Sequence, residues 1–256
     1  MDNIEFMTRT DFEATVVIDD CLRAFSELNI LICEKLPKDY NPLFQANHLL
    51  FASNVMKTIS AYELVLKGFY SSAMAIMRVV WEGSLSIRLF NLRPEKAELW
   101  IKQQDKFYSE YKHGNYLDIV FGSKKEGLRL DFEKWYSEIT KYVHPATQGN
   151  LDCIIPIEPP TKAAVTTLPR YIPLRAMDCL GVILFILKQL GKSVLETFSE
   201  LVKDEIEFLE DLNSIGDDID EESDDLKNNF EEIMKKRQKH VDCLVKLEDK
   251  NEKSPD

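Results

Sequence analysis

Three side chains of this sequence have types and spacing that suit acid–base chemistry: Arg78, Glu82 and His144. Arg78 and Glu82 are four residues apart, so on a helix they lie one turn apart on the same face and their charges can meet. The other residues on that face are apolar: Met74, Leu85 and Leu89. The pattern therefore predicts a guanidinium and a carboxylate that are paired and held away from water. His144 stands immediately before a proline, where extended backbone could turn its imidazole towards the pair.

Two interpretations of these three side chains stay open. In the first, they form a satisfied polar network that fixes how three helices cross, because structural ion pairs perturb pKa values as catalytic ones do. In the second, they form a catalytic site. His144 would then be a general acid or base with a pKa near neutrality, Arg78 would stabilise an anionic transition state, and Glu82 would orient one of them.

The sequence contains no stronger motif for a metal, a cofactor or a nucleophile. Its four histidines form no HxxxH or HExxH pattern, no serine lies in a GxSxG elbow, and the glycines form no phosphate-binding loop. Five cysteines without a CxxC pair are typical of reduced thiols in the cytosol. We therefore predict no metal, no cofactor and a cytoplasmic location.

The net charge of −12 is concentrated near the C-terminus. Residues 201–256 carry 19 acidic against 9 basic side chains, a net of −10, which leaves −2 for residues 1–200. Tight nonspecific DNA binding needs clustered Lys and Arg, so this composition argues against it while leaving a local RNA or nucleotide pocket open. The longest apolar run, Cys179–Leu187, is too short to cross a bilayer, and we predict no membrane association.

The elements that position the three side chains are predicted to be helices. Apolar residues recur at helical spacing along most of the chain, with breaks at Gly68, Pro94 and Pro173. The finer predictions are a helix over 95–112, a linker over 115–123, a helix over 126–143, and a helix from 173 that extends towards 212. The fold class is all-α: a bundle of six or seven helices with a short irregular or β insertion near 146–172 and an acidic C-terminal helical appendage.

The predicted domain division is a helical bundle over 1–212, a mobile acidic linker over 213–225, and an amphipathic helix with a tail over 226–256. The apolar stripe of this last helix is interrupted by Arg237 and His240. Polar residues at such positions set the register of paired helices. The pattern favours a non-catalytic helical interaction protein that self-associates or binds a protein partner through its C-terminal helix.

A family resemblance rests on the segment LKGFYSSAMAIMRVVWEGSLSIRLF, residues 66–90, and on KYVHPA, residues 141–146. Over roughly residues 45–200 the chain resembles a bacterial all-helical family of unknown function, with an R-x-x-x-E helix and a later His-Pro step. That family in turn resembles the HEPN helical domains, many of which are metal-independent RNases of toxin–antitoxin and phage-defence systems. The resemblance implies a link to bacterial defence or mobile elements.

The HEPN resemblance also implies roles for individual residues. The HEPN motif places an arginine four to six residues before a histidine on one helix, and no arginine stands there before His144. Arg78 would have to supply the phosphate-binding cation from another helix. His144 would act on the ribose 2′-hydroxyl and Glu82 would orient a partner, giving an RNase or nucleotide-binding protein as the alternative function.

Overall fold

The computed structural model describes residues 9–37, 41–110, 113–121, 128–143, 154–157, 162–165, 172–226 and 228. These residues form nine helices and one pair of antiparallel strands. The helices are α1 (Arg9–Lys35), α2 (Pro42–Leu66), α3 (Tyr70–Leu92), α4 (Pro94–Lys102), α5 (Gln104–Glu110), α6 (His113–Phe121), α7 (Leu128–Val143), α8 (Pro173–Val202) and α9 (206–226). The strands are β1 (Ile154–Ile157) and β2 (Lys162–Val165).

Helix α3 lies at the centre of the bundle, where it contacts α2, α4, α6, α7 and α8. The apolar surface of a helix is satisfied in a core, and more than half of the residues of α3 are buried in this way. The indole of Trp81 stacks on Phe185 of α8 with ring centroids 5.6 Å apart. Phe90 meets Phe107 of α5 edge to face, also at 5.6 Å. The predicted all-α fold is confirmed.

The breaks between helices follow the local chemistry of proline and glycine. Pro42, Pro94 and Pro173 each open a helix, where a missing backbone N–H costs nothing. Gly68 separates α2 from α3 with a φ of 81°, a left-handed conformation that suits glycine. The N–H of the next residue, Phe69, donates to the Leu64 carbonyl at 2.8 Å and closes the end of α2.

Three predicted boundaries were wrong. The helix expected over 95–112 is divided at Gln103, whose backbone leaves helical geometry (φ −144°, ψ 63°), into α4 and α5. The expected linker over 115–123 instead falls largely within α6, because Leu117 is buried in the core and nearby apolar residues pack beside it. Helix α8 ends at Val202, not near 212.

Residues 213–225, expected as a mobile acidic linker, are helical and belong to α9. The spacing of the apolar residues explains this outcome, since Leu212, Ile219 and Leu226 are 7%, 3% and 3% exposed and recur every seven residues. The acidic residues other than Glu222, which is 7% exposed, occupy the outer face of the helix, and one of them, Asp220, pairs with Lys188 of α8. Most of the C-terminal helix predicted from residue 226 lies outside the described residues.

The insertion predicted near 146–172 contains the two strands. They pair antiparallel, with Ile154 opposite Val165 and Ile157 opposite Lys162, which confirms a short β element in this region. The other residues of that stretch, apart from Ile172, lie outside the described residues.

Helix α2 is long and apolar enough to cross a membrane, judged by length and composition among the described residues. The core helix of a soluble protein passes the same test, and α2 contacts α1, α3, α4 and α8. Its apolar character is therefore weak evidence for a membrane.

Candidate functional site

Arg78 and Glu82 meet at the surface of α3. The Arg78 Nε lies 3.3 Å from the Glu82 Oε1, as the i, i+4 spacing predicts. The Arg78 side chain is 27% exposed and the Glu82 side chain is 47% exposed. The predicted desolvated pair is therefore wrong: the guanidinium is half-buried and the carboxylate is in water. An exposed pair of this kind contributes about 0–1 kcal/mol to stability.

The reason lies in how α3 is covered along its length. Its exposed residues include Ser72, Ala75 and Val79, and at about 100° per residue Glu82 lies about 60° from Val79, so it continues that exposed face. Met74, Leu85 and Leu89 are nonetheless buried, as predicted. A helical projection treats a face as uniform from end to end, whereas different neighbours cover different turns of a 23-residue helix.

Tyr136 of α7 completes the contacts of Arg78. The Arg78 Nη2 donates a hydrogen bond to the Tyr136 hydroxyl at 2.8 Å, and the guanidinium carbon lies 5.3 Å from the ring centroid. The sequence reasoning missed this residue. The sequence did contain a signal that Tyr136 faces the bundle, because it precedes the buried Ile139 by one turn on the helix predicted over 126–143.

His144, the third predicted member, lies outside the described residues. Helix α7 ends at Val143, the residue before it, and α7 packs against α3. The structure therefore brings Arg78 and Glu82 together with Tyr136, and the part assigned to His144 stays a prediction.

The chemistry open to this cluster is anion binding. A guanidinium held between a carboxylate and a phenol hydroxyl, and still partly open to water, can donate to an oxyanion such as a phosphate. Among the described residues, no three His, Cys, Asp or Glu side chains are grouped so that they could hold a metal ion.

A second surface of functional interest is the outer face of α2. Leu49, Met56 and Ile59 are 52%, 71% and 37% exposed. At about 100° per residue the three fall within an arc of about 80°, so they form one stripe, the α2 stripe. The most apolar 18-residue window of α2 has only 39% of its residues buried. Helix α2 thus carries more apolar surface than its contacts within the bundle cover.

Together these features define an all-α bundle with an exposed apolar stripe on α2 and a half-buried arginine cluster between α3 and α7. No family model, curated protein sequence or solved structure matches the chain. The family resemblance carried by residues 66–90 and 141–146 stays a prediction.

Proposed function

We propose that this chain is a non-catalytic helical interaction protein of the cytoplasm, and that it associates with a second copy or another protein through apolar helix faces. The observation that carries the proposal is the exposed α2 stripe of Leu49, Met56 and Ile59. Among the described residues, α2 is the helix that is long and apolar enough to cross a membrane. Exposed apolar surface of this kind marks interaction sites because its burial releases water. The predicted C-terminal helix, 226–248, would add a second apolar face.

The arginine cluster is compatible with this function. Arg78 joins α3 to α7 through Tyr136, so it has a structural role that needs no ligand. Its pairing with Glu82 keeps the guanidinium oriented towards α7.

The experiment is to measure molar mass by sedimentation over a wide range of protein concentrations. We expect the full chain to form dimers or larger species, and Met56→Glu to weaken that association because it places a charge in the α2 stripe. Ile206→Glu is the matched control, since Ile206 is an apolar residue of α9 that is 66% exposed and does not belong to the α2 stripe. A full chain that stays monomeric at every concentration would contradict self-association.

A chain ending at residue 228 tests the part assigned to the C-terminal helix. The cut must fall beyond α9, because Ile219 and Leu226 are each 3% exposed and belong to the core. If this shortened chain has the same mass as the full chain, the C-terminal helix takes no part in self-association.

A second candidate function is a HEPN-like, metal-independent RNase or nucleotide-binding protein linked to bacterial defence. The observation that favours it is the partly exposed guanidinium of Arg78, held by Tyr136 and Glu82 in a position where a phosphate could reach it. In this function His144 would transfer a proton at the ribose 2′-hydroxyl and Arg78 would stabilise the phosphate charge.

The test is RNA cleavage by the purified chain and by His144→Ala, with thermal unfolding of both. This function predicts that His144→Ala loses cleavage or toxicity and keeps its thermal midpoint. An inactive parent chain, or a variant that loses stability with no change in activity, would contradict it and favour the interaction protein.

A further inference from the structure

A cavity of about 230 Å³ lies where α1, α8 and α9 meet, and it is partly open to solvent. Its apolar lining comes from all three helices and is buried: Cys21, Phe25, Leu187, Leu212 and Ile219. A protein cavity of about 150 Å³ with an apolar lining takes up benzene, so by this comparison the present cavity has room for about nine carbon atoms.

Two glycines contribute to the lining, Gly191 of α8 and Gly216 of α9. Both lie inside helices, where glycine is less stable than alanine. A Cβ on Gly191 would lie 3.0 Å from the Cζ of Phe25, so this glycine lets α1 approach. A Cβ on Gly216 would have no atom within 4 Å other than those of its chain neighbours and its own helix backbone. The space beside Gly216 is therefore open to a ligand.

The charges beside the cavity follow the pairing of α8 with α9. The two helices are joined by residues 203–205 alone and run antiparallel. Lys188 of α8 pairs with Asp220 of α9. One turn further along α8, Lys192 is level with position 216, one turn back along α9, where a glycine replaces the acid. Within the described part of the chain, Lys192 has no ion pair.

Asp217 is the remaining charged residue of the lining. It is exposed, and at about 100° per residue it lies to one side of Gly216 on α9. Water and salt therefore screen its charge. A ligand carboxylate at the level of Gly216 would give Lys192 the partner that Asp220 gives to Lys188.

We propose that this cavity binds a small carboxylic acid with an apolar body of about eight carbon atoms, such as a medium-chain fatty acid. The carboxylate pairs with Lys192, and the apolar chain lies among the buried side chains of α1, α8 and α9. Burial of the chain supplies most of the affinity, and the lysine selects an acid over a neutral molecule. This property goes beyond the proposed interaction function and does not rest on it.

The experiment titrates the full chain with octanoate in a calorimeter, and with octan-1-ol as a neutral molecule of the same length. We expect octanoate to bind with a Kd of about 1 mM or below, and octan-1-ol to bind more weakly. Lys192→Met keeps the apolar stem of the side chain and removes the charge. It should weaken octanoate by about fivefold and leave the affinity for octan-1-ol unchanged.

Gly216→Leu tests the place of binding, because its side chain fills the open space and should weaken octanoate by about tenfold or more. Gly181→Leu on α8 is the matched control. Its added Cβ also has no atom within 4 Å other than those of its chain neighbours and its own helix backbone, and Gly181 does not line the cavity. Its affinity for octanoate should equal that of the parent.

Three results would overturn the proposal: no binding of octanoate to the parent, equal binding to the parent and Gly216→Leu, or equal binding to the parent and Lys192→Met. Urea unfolding of each variant checks that it is folded. Lys192 is exposed, so Lys192→Met tests the site even if Gly216→Leu fails to fold.

Discussion

The side-chain amide of Asn54 on α2 lies directly against the Cα of Gly83 on α3. A Cβ built on Gly83 would lie 2.5 Å from the Asn54 Oδ1 and 2.7 Å from its Nδ2. Asn54 is 1% exposed, so its amide has little room to withdraw. A residue without a side chain thus allows the two helices to approach closely at this point.

Gly83→Ala should therefore destabilise the fold, although alanine is the better helix former. We expect a loss of about 1–3 kcal/mol in the free energy of unfolding, the usual cost of forcing an extra carbon into a packed core. Gly181→Ala on α8 is the matched control, because its added Cβ would have no atom within 4 Å other than those of its chain neighbours and its own helix backbone, and it should keep or raise stability. Urea unfolding measures both. Equal stability of the two variants would show that α2 and α3 are not in tight contact here.

A partly buried polar network, centred on the fully buried Asn47, joins α2, α3 and α8. The Nδ2 of Asn47 donates to the Oδ1 of Asn91 at 2.8 Å and to the Oγ1 of Thr197 at 2.9 Å. The Thr197 hydroxyl donates in turn to the Asn91 Oδ1 at 2.8 Å. Each helix contributes one member of the network.

Thr197→Val keeps the shape of the side chain but leaves an N–H of Asn47 without an acceptor in the core. We expect a loss of about 1–3 kcal/mol in the free energy of unfolding. Thr58→Val is the control, since the Thr58 hydroxyl donates to the Asn54 carbonyl of its own helix and its loss strands no donor. Thermal or urea unfolding should show a smaller loss of stability in Thr58→Val than in Thr197→Val. A larger loss in Thr58→Val would contradict this role of the network.

The buried thiol of Cys21 should make stability fall at high pH. Burial raises its pKa from 9.0 to about 12, so between these values the unfolded chain has lost a proton that the folded chain retains. The folded state then binds more protons, and the free energy of unfolding falls by about 1.4 kcal/mol for each pH unit above 9 from this group alone.

Cys21→Ala removes this titration, so its unfolding free energy should fall less steeply than that of the parent between pH 9 and pH 10.5. Burial also raises the pKa of Tyr62, which destabilises both chains in the same direction at higher pH. The difference between the two slopes therefore isolates Cys21. Parallel slopes from urea unfolding would show that the thiol is not buried as described.

The contact between Arg78 and Tyr136 should contribute more to stability than the ion pair between Arg78 and Glu82. Tyr136→Phe keeps the ring under the guanidinium and removes one half-buried hydrogen bond, and we expect a loss of about 0.5–1.5 kcal/mol. Glu82→Gln removes a charge that is 47% exposed and should cost less than about 1 kcal/mol. Urea unfolding at low and high salt compares the two variants with the parent. Salt should reduce the parent's stability advantage over Glu82→Gln and leave its advantage over Tyr136→Phe unchanged.

Much of the fold could be predicted because proline and glycine act locally. Pro94, Pro173 and Gly68 mark helix boundaries in the sequence and in the structure alike. Helix α9 was missed because its charged residues dominate the composition, although Leu212, Ile219 and Leu226 carry the helical period. The charged composition of a segment shows how well its surface is solvated. The spacing of its few apolar residues decides whether a helix can pack against the bundle.

The candidate site could be predicted only in part. The Arg78–Glu82 contact follows from i, i+4 spacing, which is a property of one helix. Burial of Glu82 depends on whether a neighbouring helix covers that turn, and nothing local to α3 specifies this. Tyr136 was missed for the same reason, because its contact with Arg78 joins residues 58 positions apart in the chain.

The short turn at Gly68 affects the order in which the molecule can assemble. Helices α2 and α3 are joined by residues 67–69 alone, and closing so short a loop costs little chain entropy. The contact of α3 with α8 must instead wait for a segment that begins at residue 173. During synthesis we therefore expect the α2–α3 hairpin to form first and to present its apolar surface to chaperones until α8 leaves the ribosome.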